Sequence, residues 1–135
     1  MKRASILLMA AMATGGAGAS WACGACVEDR VAASYDFIVI DTATVRHDQV
    51  VFVAIDGAVN ASKVNARIVT ALPKVRGVRA GTLRTSRSPP AFSFALDANQ
   101  TPEVAVAGFR KAIGDPAARL TVVRIMSDGL LHEPK

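Results

Sequence analysis

Apolar and polar residues recur along this chain with changing periods, and the periods divide it into elements. Residues 49–55 (Gln-Val-Val-Phe-Val-Ala-Ile) form an almost unbroken apolar run closed by Asp56-Gly57, which predicts a buried strand. Val64, Ile68, Ala71, Leu72 and Val75 then share one face of a helix near 61–75, with Asn60 placed to cap its start and Gly77 to close its end. Residues 78–85 predict a second strand, and Ser88-Pro89-Pro90 a turn. Phe92, Phe94 and Leu96 alternate with Ser93 and Ala95, the pattern of a half-buried strand. Thr101-Pro102-Glu103 reads as a helix start, Ala105, Phe109, Ala112 and Ile113 as its inner face, and Gly114-Asp115-Pro116 as its stop. Residues 120–126 predict a last strand, and the rest a polar tail.

The order βαββαβ predicts an α+β fold: a ferredoxin-like sandwich with two helices on one face of a four-stranded antiparallel sheet. Its expected core includes Val53, Ile55, Ile68, Leu72, Phe92, Phe94 and Phe109. Upstream, Val27, Val31, Tyr35, Ile38, Thr42 and Val45 are spaced by 4, 4, 3, 4 and 3 residues, which predicts one amphipathic N-terminal helix over 25–45. Glu28 and Asp29 suit its first turn and Arg46 its last. The β-branched run Ile38-Val39-Ile40 leaves a strand over 37–44 as the alternative.

The first residues change the picture of where the protein works. Lys2 and Arg3 precede a short apolar run, Ile6 to Ala13, and small residues follow it. That is the pattern of a secretory signal peptide over residues 1–22, and it predicts a periplasmic or secreted protein. Ala17-Gly18-Ala19 and Ser20-Trp21-Ala22 are two cleavage sites, giving mature starts at Ser20 or Cys23. A lipid anchor on Cys23 fits less well, because Ser20 stands where a bacterial lipobox has Leu. The apolar run is too short to span a bilayer, and no later segment is long and apolar enough to do so. The expected organisation is therefore a signal peptide (1–22), a Cys-x-x-Cys segment with an N-terminal helix (23–46), a ferredoxin-like domain (47–127) and a tail (128–135). Loss of Lys2 and Arg3 lowers the formal charge from +5 by two, leaving a mildly basic domain with too little charge to imply a nucleic-acid partner.

Residues 51–113 resemble the heavy-metal-associated domain of copper chaperones and metal-pumping ATPases. That family's pattern runs from a hydrophobic strand through Gly-Met-x-Cys-x-x-Cys to a helix ending in Leu-Pro-Gly-Val. Val51 to Gly57 match the strand and glycine; Val64, Ile68, Ala71, Leu72 and Pro73 match the helix; Gly77-Val78 match its close after a small insertion. Phe92 to Asp97 match the third strand, and Thr101-Pro102-Glu103 the second helix start. The metal loop departs from the pattern. Ala58 stands in place of Met, and Asn60 and Lys63 in place of the two cysteines. Amide and ammonium groups do not substitute for thiolates around a soft metal, so none of the family's ligands carries over.

The chain's two cysteines, Cys23 and Cys26, form their own Cys-x-x-Cys ahead of the first helix. A disulfide across so short a loop adds little stability, which points to chemistry. Two thiolates at this spacing can hold a soft ion such as Cu, Zn or Hg, can run dithiol–disulfide exchange, or can rest as an inert local disulfide. The resemblance in fold favours the metal. A position just before a helix favours the thiolate in either reactive case. Cleavage before Cys23 would add an α-amino group as a further donor. His47, between the first helix and first strand, is a candidate additional ligand; His132 sits in the tail.

Residues 63–87 hold Lys63, Arg67, Lys74, Arg76, Arg79, Arg84 and Arg87 and no acid. This stretch is either a solvated basic face or a docking face for an acidic metal-handling partner protein or an anionic membrane surface. No Ser-His-Asp set, framed carboxylate pair or glycine-rich phosphate loop is present, which points away from hydrolytic catalysis. The favoured function is soft-metal binding or delivery through Cys23 and Cys26. The alternatives are a thiol–disulfide protein and a non-metal interaction module with a degenerate fold.

Overall fold

The computed structural model describes residues 26–135; the predicted signal peptide and Cys23 lie outside the described residues. The elements are α1 (Val27–Ala33), α2 (Phe37–Val45), β1 (Gln49–Asp56), α3 (Ala61–Ala71), β2 (Arg84–Arg87), β3 (Pro90–Leu96), α4 (Pro102–Ile113), β4 (Arg119–Ser127) and β5 (Leu130–His132). The fold is α+β, with four helices and one antiparallel sheet in the order β2-β3-β1-β4-β5. The sheet therefore has five strands where the sequence predicted four. No helix among the described residues is long and apolar enough to cross a membrane.

β1 lies at the centre and is buried from Val50 to Ile55. Alternate residues point to opposite faces. Val51, Val53 and Ile55 join Phe92, Phe94 and Leu96 of β3 against α3 and α4. There Phe92, Phe94 and Phe109 form an aromatic triangle with centroids 5.1 to 5.9 Å apart. Of the expected core, Val53, Ile55, Ile68 and these three phenylalanines are buried, and Leu72 packs against them half-buried.

The opposite face of the sheet is also covered. Val50 and Phe52 of β1, Ala95 of β3 and Met126 of β4 pack with Val31, Val39, Ile40 and Ala43 from α1 and α2. This overturns the half-buried pattern predicted for β3, which is buried from Ala91 to Leu96. Ser93, its one polar residue on this face, is satisfied because its Oγ donates to the Ser34 carbonyl at 2.6 Å. β4 serves both faces through a bulge. Phe52 pairs with Arg124 and Val53 with Val122, so Val123 is an extra residue. The extra residue turns Leu120 and Val122 toward α3 and α4, and Arg124 and Met126 toward α1 and α2.

The single helix expected over 25–45 is two helices. α1 ends at Ala33, and the Ser34 hydroxyl donates back to the Arg30 carbonyl. Asp36 starts α2 by accepting from the N–H groups of Ile38 and Val39 at 2.8 and 3.2 Å. The restart resets the helical phase, so the predicted stripe does not face inward as a unit. Val31 is buried, but Tyr35, Ile38 and Val45 are exposed; Val39, Ile40 and Ala43 take the inner face of α2. The alternative strand over 37–44 is absent, since those residues are helical.

Three other boundaries differ from expectation. α3 ends at Ala71 and tightens into a 3₁₀ turn over Leu72–Lys74, because Pro73 has no N–H to continue the ladder. The predicted strand 78–85 is a single bridge from Val78 to Leu96 followed by β2 at 84–87. Beside that bridge the Arg79 N–H donates to the Ala95 carbonyl at 2.9 Å, and its side chain meets acids. The tail is a hairpin, with β5 pairing back on β4 across Asp128 and Gly129. α4 follows its predicted bounds, with Pro102 in its first turn and Gly114 closing it in the left-handed conformation (φ 62°).

Phe109→Ala removes one corner of the aromatic triangle and should cost about 3–5 kcal/mol, measured by urea unfolding. Val45→Ala, at the outer face of α2, should change stability by less than about 0.5 kcal/mol in the same assay.

Candidate functional site

Cys26 occupies the N-cap position of α1, half-buried, and its carbonyl accepts the Arg30 N–H at 3.2 Å. Two ion pairs hold this short helix on the sheet. Arg30, buried, reaches Asp56 at 2.7 Å, and Glu28 meets Arg124 of β4 at 3.0 Å. Glu28 and Asp29, both exposed, follow Cys26 within three residues. Among the described residues no three His, Cys, Asp or Glu side chains converge closely enough to hold a metal ion. His47 lies in the α2–β1 turn with φ 57°, and its Nδ1 sits 3.3 Å from Asp128 Oδ1 in the β4–β5 turn. Both side chains are largely exposed. His132 is exposed on β5.

The loop from Gly57 to Lys63 is structural in this chain. The Asn60 side chain accepts the Lys63 N–H at 3.0 Å, so these two residues form the N-cap contact of α3. Gly57 has φ 110°, and a Cβ there would fall 1.9 Å from the Ala117 carbonyl oxygen. The loop is thus clamped by the α4–β4 connection, and only glycine fits at its start.

The basic stretch does not act as one face. Arg79 forms a two-pronged pair with Asp48, Nε to Oδ2 at 2.8 Å and Nη2 to Oδ1 at 2.7 Å, and Nη2 also reaches Asp97 at 3.1 Å. Arg84 Nε donates to Asp36 at 2.6 Å, tying β2 to the start of α2. The Arg84 bond, followed by the Val39 and Ile38 N–H bonds, holds the Asp36 carboxyl below the usual carboxylate range. Asp97 is lowered first by the Asn99 backbone N–H and then by the charge of Arg79. The Asp48 bond raises Arg79. Arg87 leans toward the Ser62 hydroxyl at 3.4 Å, and Arg76 is exposed.

The remaining three, Lys63, Arg67 and Lys74, line a groove of about 640 Å³ between α3 and α4. Lys111 of α4 joins them from the far wall. Buried Ala71 and half-buried Gly108 lie at its base, with Ala66, Thr70 and Ala112 along its sides. No carboxylate pairs with any of the four cations among the described residues. Arg67 Nη1 donates to the Ile113 carbonyl at 2.7 Å, capping the end of α4 and fixing the guanidinium across the groove. Gly108 sits mid-helix, where glycine costs about 0.5–1 kcal/mol relative to alanine. A Cβ there would meet Val75 at an ordinary 3.4 Å, so helix packing does not demand the glycine. Lys111 was missed by sequence reasoning because it comes from a separate helix. Its spacing from Gly108 and Ala112, one face of α4, was the available clue.

Two outcomes follow from these contacts. Asn60→Ala should cost about 0.5–2 kcal/mol by loss of the α3 cap. Asp36 and Asp97 are ionised more readily in the folded protein. Their stabilisation is complete above the ordinary carboxylate range, near pH 4, and is lost as pH falls through their lower folded values. Asp36→Asn keeps the cap but removes the charge. It should lower the melting temperature at pH 7 and flatten the acid limb of the stability profile.

In comparison with known proteins, the chain matches no family model, no curated protein and no solved structure.

Proposed function

We propose that this chain is an exported soft-metal carrier that holds Cu, Zn or Hg between the thiolates of Cys23 and Cys26. The observation that carries this reading is the setting of Cys26, half-buried at the N-cap of a helix pinned to the sheet, with Glu28 and Asp29 in the first turn of that helix. The helix N-terminus favours the thiolate that a soft ion binds, and Asp29 in the same turn adds negative charge that favours a cation. The strand order β2-β3-β1-β4, with α3 and α4 on one face, supports a ferredoxin-like arrangement and the likeness to heavy-metal-associated domains. In this reading the usual metal loop has become a helix cap, and binding has moved to the N-terminal cysteine pair. His47 is held by Asp128 and is not needed as a ligand.

The test is an anaerobic titration of reduced mature protein with Cu(I) or Zn(II) against a competing chelator. Cys23→Ser and Cys26→Ser should each abolish binding, because a serine hydroxyl stays protonated and is a poor ligand for a soft ion. Asn60→Ala with Lys63→Ala should leave it unchanged. Affinity should fall as pH drops, since protons compete for the thiolates. A wild type that binds no more tightly than the double serine variant defeats the metal reading. A mixed disulfide trapped with a partner by a single-cysteine variant would replace it with redox chemistry. Intact mass of the exported protein should show a start at Ser20 or Cys23; a start at Met1 defeats the export reading.

A further inference from the structure

We propose that the groove between α3 and α4 is a binding site for an amphiphilic anion, a small molecule with an apolar body and carboxylate or phosphate groups. The site is separate from the cysteine pair, and the inference does not depend on the metal reading. Three observations carry it. The first is charge. Lys63, Arg67, Lys74 and Lys111 converge on one cleft with no paired carboxylate among the described residues, whereas Arg79 and Arg84 of the same basic stretch are tied to acids. Like charges gathered without counter-ions repel one another, and an anion bound among them relieves that repulsion. Arg67 spends one N–H on Ile113, which fixes the guanidinium and leaves donors over for a ligand oxygen.

The second observation is the base of the groove. Ala71 and Gly108 give it depth, because neither carries a side chain large enough to fill the space between the cations. An alkyl or aryl body lying on this base and against the methylene stems of the lysines leaves water. The third is size. A volume of about 640 Å³ falls within the range of small-ligand pockets, roughly 300–1,000 Å³. Nine residues line it, well short of the ~20–30 per side that a stable protein interface uses. Lys63 lies in the first turn of α3 and Lys74 in the 3₁₀ turn after it, so a ligand along the groove meets cationic donors over its length.

The experiment uses the mature protein and 11-(dansylamino)undecanoate, a fluorescent anionic amphiphile, displaced by competitors below their micellar concentrations. Laurate and dodecyl phosphate should both displace the probe; whichever is stronger identifies the headgroup. Dodecyltrimethylammonium, with the same chain and opposite charge, should be at least tenfold weaker. Lys63→Glu with Lys111→Glu should weaken probe binding tenfold or more. Ala112→Leu, which fills the groove from an exposed position and should leave the fold intact by circular dichroism, should do the same. Ile38→Glu, on the separate exposed apolar face of α2, should change nothing. Displacement by tripolyphosphate or a poly-glutamate peptide as effective as that by dodecyl phosphate would reduce the groove to a charged surface and overturn the proposal. Equal displacement by the cationic amphiphile, or binding unaffected by the groove variants, would overturn it as well.

Discussion

Everything in this fold answers to the central strand. From Val50 to Ile55 β1 is apolar at every position, so both of its faces must be removed from water. α3 and α4 cover one face and the large aromatic cluster forms there. The other face has no helix from the βαββαβ run to cover it, and α1 with α2 supplies that layer. The N-terminal segment is therefore part of the core and not an appendage. This is why its contacts are directional: the Arg30–Asp56 and Glu28–Arg124 pairs fix where α1 lies, and the Ser93–Ser34 bond removes the cost of a hydroxyl between the layers.

The elements with strong periodicity and clear ends were legible. α4 carried a proline at its start and a glycine at its stop, and α3 carried Asn60 as its cap. Phe92 and Phe94 were evident from alternation in β3, and Phe109 from the inner face of α4. The break between α1 and α2 was hidden because Val31, Tyr35 and Ile38 keep helical spacing across it. The deciding residue was Asp36, a strong cap inside an otherwise helical stripe. The second layer was also written in β1, since a half-exposed strand would not carry six apolar residues in a row. The β5 hairpin depends on Asp128 and Gly129 taking positive φ, a weak signal beside so short a strand.

The candidate site was legible in part. The sequence marked a run of basic residues, but charge counted along the chain says nothing about partners supplied by distant segments. Asp48 comes from the turn before β1 and Asp36 from the start of α2, and together with Asp97 they convert Arg79 and Arg84 into braces that join layers. Three of the cations the acids leave over, Lys63, Arg67 and Lys74, line the α3–α4 groove, completed by Lys111. The cysteine pair stands apart from this division. Its second member begins the helix that closes the second layer, so Cys26 and the packing of that layer share one element.

The bulge in β4 has a consequence for how the chain tolerates changes in length. Val122 and Arg124 already face successive residues of β1, so the ladder skips Val123. Excising Val123 leaves a regular strand with every other side chain on its present face, at the loss of one half-buried contact. Excising Thr121, two positions earlier, drives Leu120 out of the aromatic core or breaks the register. One strand thus holds a dispensable residue and, within a single turn of the pleat, an indispensable spacing. Natural variants of this protein that differ by a residue in β4 should differ at Val123.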